Sequence, residues 1–341
     1  MDAEQISAVQ TLPLAVELNE DSRTQRRDKL IVSIDETTGK IDLKTEVLKG
    51  ILTQKKVKNL KVAIIGIAGP FRKGKSFLLS FFIRYFKLKR HPDWLKEEMD
   101  KPLDGFRWSR GAASVTKGIW MWSKPLIKGD VAIFLMDVQG SFDAKQSEQA
   151  NTNVLAWSTM ISTVTIFNLM SDLQMNYLDN LNYCTEYARI AVRNKNENPF
   201  QKLIFLIRDW ERISSHVHGF GGGMAYLSTW LTDDNNEDQN PTAMKIKILL
   251  IRMKNQNPTH KNERPKILTR NNGNTQQPPE TNNIQIYWKQ LQCFLMPHPG
   301  VKAWLMGNFK GEPKFIEPYF LEYLDMFVPN VVNNIKVNTL L

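Results

Sequence analysis

Residues 61–86 read KVAIIGIAGPFRKGKSFLLSFFIRYF. The apolar run before Gly69 does not alternate, which predicts a strand covered on both faces, and a helical pattern opens at the glycine-lysine-serine. Between them Gly69 to Ser76 spell G-x-x-x-x-G-K-S, the phosphate-loop pattern. At that spacing loop amides turn toward phosphates, Lys75 reaches the β and γ oxygens, and the Ser76 hydroxyl is a magnesium ligand. Gly69, Pro70, Phe71, Arg72, Lys73, Gly74, Lys75, Ser76 and Phe77 are therefore candidate nucleotide-contacting residues. The loop carries three cations, Arg72, Lys73 and Lys75, where one is expected.

Further apolar strands are predicted at 131–140, 164–170, 202–210 and 292–300, with a short one near 29–34 followed by an amphipathic helix ending near 52. Buried strands alternating with helices predict an α/β P-loop NTPase with a mainly parallel central sheet flanked by helices, and ligands at the strands' carboxyl ends. Residues 1–27 read as a polar lead-in. Residues 253–283 hold eight Asn, four Pro and three Gln, so a loop or disordered insertion is expected over about 236–283.

Charge is unevenly spread. The chain is +10 overall, with 20 basic against 9 acidic residues between 22 and 101, and 8 against 1 between 244 and 270. A polyanionic partner follows from such a surplus, but no helix-turn-helix or RNA-binding motif accompanies it, so nucleic acid is disfavoured. The two cysteines, Cys184 and Cys293, have no metal-ligand or disulfide-framework spacing. No apolar run reaches the ~20 residues a spanning helix needs, and a cytoplasmic domain without a direct membrane span is expected.

The downstream motifs narrow the nucleotide. Asp137 ends an apolar strand and stands in D-x-x-G spacing with Gly140, which suits a magnesium-bound water and a γ-phosphate contact. Thr116, in the polar stretch between, is placed to be a second hydroxyl ligand of magnesium. No N-K-x-D follows a buried strand. Arg208-Asp209 does, and a carboxylate there can accept the guanine N1 and N2 hydrogens together. An ATPase or kinase reading rests on the phosphate loop alone.

GPFRKGKSFLL, TKGIWMW, FLMDVQGSFD, WSTMIS, LIFLIRDW and CFLMPHPG, in this order, resemble the large GTPase domain of the atlastins and guanylate-binding proteins, in the dynamin superfamily. The P-loop, MDVQGSFD, IRDW and PHPG look most like atlastin, and TKGIWMW like the guanylate-binding proteins. The resemblance spans about 28–330 and implies a large-GTPase variant of the Ras-like fold, with 331–341 as a short C-terminal end. It implies that Arg208 and Asp209 read guanine, that Arg72 is an internal arginine finger engaged when G domains dimerise, and that Ser114 helps place the attacking water. Residues 293–300 would cap the base. The expected activity is Mg²⁺-dependent GTP binding and hydrolysis, with GTP and GDP as ligands and a homodimer, or a heterodimer with a membrane-anchored relative, as the assembly. The alternative is a non-enzymatic GTP-binding module that modulates such a relative. Atlastins continue into a middle domain and membrane segments; none is read here before Leu341, so recruitment to the cytosolic face of the endoplasmic reticulum is expected to depend on a partner.

Overall fold

The computed structural model describes residues 27–35, 38, 40–108, 118–138, 140, 148–174, 177–178, 181, 200–232, 288–305 and 309–337. Ser114, Thr116, the 236–283 insertion and the polar lead-in as far as residue 26 lie outside the described residues.

Nine strands form one sheet: β1 (Asp28–Ile34), β2 (Ile41–Leu43), β3 (Lys61–Ala68), β4 (Ile119–Trp122), β5 (Leu126–Lys128), β6 (Val131–Val138), β7 (Val164–Met170), β8 (Phe200–Arg208) and β9 (Trp288–Leu295). The described helices are α1 (Thr45–Leu52), α2 (Lys75–Lys87), α3 (Glu148–Ile161), α4 (Gly219–Thr232), α5 (Lys302–Leu305) and α6 (Pro318–Asn333). The path runs β2-β1-β4-β6-β3-β7-β8-β9, with β5 pairing β6. β6, β3, β7, β8 and β9 are mutually parallel, whereas β2, β1, β4 and β5 join by antiparallel pairing. The chain leaves β3 toward β6 on one side and returns to β7 on the other. Such a reversal opens a crevice beyond the carboxyl end of β3, where the glycine-rich loop lies.

Strand alternation divides the core between two faces. Ala63, Ile65 and Ile67 of β3 join the α2 and α6 side, with Leu78, Phe82, Leu324 and Phe327. Ile64 and Ala68 join the opposite side, with Ile51 of α1, Val154 and Leu155 of α3 and Leu227 of α4. Both faces are covered, which is why the central strands read as unbroken apolar runs. Phe327 is fully buried, with its ring 4.9 Å from Phe294 and 6.4 Å from Phe82. Phe327→Ala should lower the unfolding free energy by about 3–5 kcal/mol in a denaturant titration.

Several boundaries differ from the sequence expectation. β8 stops at Arg208 because Asp209 turns to a left-handed backbone (φ 55), and β9 starts four residues earlier than expected and ends before Pro297 and Pro299. A proline has no N–H for a ladder, so PHPG continues as extended loop. The antiparallel strands β2 and β5 were not expected; at three residues each they are too short for periodicity to register.

Candidate nucleotide site

The loop after β3 owes its path to its glycines. Gly69 has φ 130, and a Cβ there would stand 2.2 Å from the Asn168 carbonyl oxygen on β7. Gly74 has φ 73 and starts α2 from the left-handed region. Asn168 is fully buried and donates from Nδ2 to the Lys73 carbonyl at 2.9 Å, tying the loop to the neighbouring strand. Sequence reading missed this anchor, although a polar residue in the run VTIFNLM was the available signal.

Lys75 begins α2 and is buried, its Nζ donating to the carbonyls of Gly69 (3.1 Å) and Pro70 (2.8 Å). Burial pushes its pKa down to about 8, partly opposed by the Asp137 carboxylate. Ser76 Oγ hydrogen-bonds Asp137 Oδ2, so the loop's hydroxyl and the carboxylate at the end of β6 meet as the motifs require. Two hard oxygens side by side suit a magnesium ion that keeps waters and phosphate oxygens as its other ligands. Among the described residues no three His, Cys, Asp or Glu side chains converge. Gly140 follows closely: a Cβ on it would stand 2.2 Å from Phe71 Cα, so the D-x-x-G glycine lies directly against the phosphate loop.

Arg72 and Lys73 are exposed. Arg72 has φ 57, and its guanidinium sits 5.1 Å from the centroid of the Phe71 ring, turned along the loop's surface. The Phe77 ring packs 5.1 Å from that of Phe81 and 5.0 Å from that of Trp108.

Arg208 and Asp209 divide their work. Arg208 is only 5% exposed, and its Nη1 lies 3.3 Å from where a Gly74 Cβ would be, so the guanidinium backs the phosphate loop. It also lies 5.4 Å from the centroid of the Phe320 ring on α6. Burial lowers its pKa, with Asp209 opposing. Its Nε and Nη1 have no hydrogen-bond partner among the described residues. Asp209 is half-buried, with Oδ1 likewise unsatisfied. Three buried polar atoms of this pair are thus left without a protein partner among the described residues, at the last residue of β8 and the left-handed residue that follows it. Beyond β9, Met296 accepts from the Trp210 amide at 3.0 Å and donates to Ile207 at 2.8 Å, which brings the PHPG segment beside Asp209. Gly300 has φ 92 and donates to His298 Nδ1 at 3.0 Å.

The phosphate loop, Asp137 and Asp209 thus stand at the carboxyl edge of one parallel sheet. The model of the guanylate-binding protein N-terminal domain matches residues 38–257. The chain belongs to this family. Among curated relatives, mouse atlastin-3 is 34% identical over 90% of this chain and 51% of its own length, and atlastin-2 of Macaca fascicularis 34% over 88% and 47%. The chain thus spans about half the length of the curated relatives it matches. Its resemblance to the Saccharomyces cerevisiae Ski7 GTPase-like domain is looser, at 14% identity and a TM-score of 0.30, over 83% of this chain and 53% of that one. The domain is an atlastin-type G domain of the guanylate-binding protein family, and no described helix is long and apolar enough to cross a membrane.

Proposed function

We propose that this G domain binds GTP with magnesium and hydrolyses it, and that two such domains complete the site by meeting face to face. The observation that carries the reading is the Arg208 guanidinium behind Gly74, its Nη1 3.3 Å from where a Cβ on that glycine would stand, which sets the phosphate loop beside the end of β8. The family's name, guanylate-binding, supports the same ligand. The proposed domain runs from about 28 to 330.

The roles of the loop, Lys75, Ser76, Asp137 and Asp209 follow from their chemistry, and those of Arg72 and Ser114 from the family resemblance. Loop amides and Lys75 hold the phosphates, and Ser76 and Asp137 hold the metal, with Thr116 as a further hydroxyl ligand and Ser114 steering water. Bound magnesium supplies Lewis-acid neutralisation of charge on the phosphate oxygens. Asp209 accepts the guanine N1 and N2 hydrogens, while Arg208 braces loop and base together. Gly140 senses the γ-phosphate, and Arg72 swings from the Phe71 surface onto the phosphates when a second domain docks. That partner is another copy or a membrane-anchored relative, which would bring the domain to the cytosolic face of the endoplasmic reticulum.

Base choice tests the reading. Asp209→Asn should weaken GDP by about tenfold or more and favour xanthosine diphosphate, whose O2 accepts where guanine donates. Equal GDP affinity in the variant, measured by titration calorimetry, would remove Asp209 from the base site.

A further inference from the structure

Two neighbouring strand ends carry left-handed residues that are not glycine: Ser171 after β7 (φ 58) and Asp209 after β8 (φ 55). Such conformations persist where the surroundings impose them. Here the two loops are cross-linked. The Ser171 amide donates to the Arg208 carbonyl at 2.7 Å. Arg212 Nη2 lies 3.4 Å from the Ser171 carbonyl and 2.9 Å from Asp172 Oδ2, and its guanidinium covers the Trp210 ring at 4.5 Å. From the other side Asp172 Oδ1 accepts the Tyr226 hydroxyl, and the Tyr226 ring lies 4.9 Å from that of Trp210.

Trp210, the residue after Asp209, is the hub of this set and is 3% exposed. Its carbonyl accepts from His218 Nε2 at 2.9 Å, and its indole nitrogen donates to the His216 carbonyl at 2.8 Å. The only cation packed on the indole among the described residues is Arg212. A shift of the indole therefore turns the backbone that aims the Asp209 carboxylate.

We infer that Arg212, latched to Asp172 and stacked on Trp210, is a positioning residue that holds Asp209 in register with the guanine 2-amino group. The inference rests on the reading of Asp209 as the base acceptor. Guanine offers N1–H and a 2-amino group, whereas hypoxanthine offers N1–H alone, so a well-aimed carboxylate separates the two and a tilted one does not. The ion pair is half exposed and adds little to global stability, so its effect is local.

The test is a titration of the full chain with fluorescent GDP and IDP beside thermal unfolding. The unmutated protein should bind GDP about tenfold more tightly than IDP, the worth of one hydrogen bond to a charged acceptor. Arg212→Ala should narrow that ratio to about twofold while moving the melting temperature by no more than about 2 °C. Arg212→Lys keeps the pairing with Asp172 but loses the planar stack, and should give an intermediate ratio. Asp172→Asn, which leaves an acceptor for Tyr226, should narrow the ratio as well and serves if the alanine variant does not fold. An unchanged ratio in these variants, or an equal loss for both nucleotides, overturns the inference. An unmutated protein indifferent to the 2-amino group refutes the base reading itself, visibly before any variant is made, and the inference falls with it.

Discussion

Replacing Lys75 with alanine should lower the affinity for GTP by about 10² to 10⁴-fold, since two charge-assisted hydrogen bonds to phosphate disappear together. In the structure the ammonium is satisfied by the carbonyls of Gly69 and Pro70 and is shut away from water, so it stands ready for phosphate oxygens at little reorganisation. The same burial gives a pH signature. With its pKa at about 8 instead of 10.5, Lys75 of the nucleotide-free protein sheds its proton as the pH passes 8, and bound phosphates draw the proton back. GTP affinity should hold steady below about pH 8 and decline above it, with proton uptake on binding. The sign for folding is opposite. The unfolded lysine keeps its proton up to its ordinary value, so this residue's penalty on stability is full below pH 8 and fades as the pH climbs toward 10.5. Calorimetry in two buffers of different ionisation enthalpy measures the uptake; none at pH 8.5 would contradict the assignment.

Arg72→Ala should reduce kcat for GTP by about 10³ to 10⁵-fold, the range for arginine fingers, while leaving the affinity for a non-hydrolysable analogue nearly unchanged. The separation follows from position. Arg72 is exposed and rests on the Phe71 ring, away from the Lys75 carbonyl cage, so ground-state binding does not call on it. Lys73→Ala is the control, being a neighbouring exposed cation with no proposed catalytic motion. Turnover by Arg72→Ala at the unmutated rate, followed by phosphate release, would exclude the finger. The contact of Gly140 with Phe71 adds a mechanical link, because any movement of the D-x-x-G glycine must be felt at the residue beside Arg72.

The central strands were legible because both of their faces are covered, which leaves no alternation to blur the runs VAIIGIA, VAIFLMD, VTIFNLM and KLIFLIR. The antiparallel margin was not, since Ile41–Leu43 and Leu126–Lys128 are defined by pairing and by little in their own sequence. The site divides in the same manner. The phosphate loop, Asp137 and Arg208-Asp209 announce themselves by spacing, and the structure brings Ser76 to Asp137 and Arg208 to Gly74. What spacing does not encode is the support. Asn168 on β7 holds the Lys73 carbonyl from 95 residues away, and Asp172 meets Arg212 across two strand ends. The packing of the Phe77 ring against Phe81 and Trp108 is likewise not written in the motif that contains it.

The proposed activity of this chain is the turnover of GTP. Phosphate release from GTP by the purified protein, with magnesium and with the metal chelated, tests it most directly. The prediction is steady release with magnesium that is lost on chelation and in Lys75→Ala at the same protein concentration. GTP that binds but yields no phosphate above the buffer rate, at concentrations where two domains meet, would contradict it.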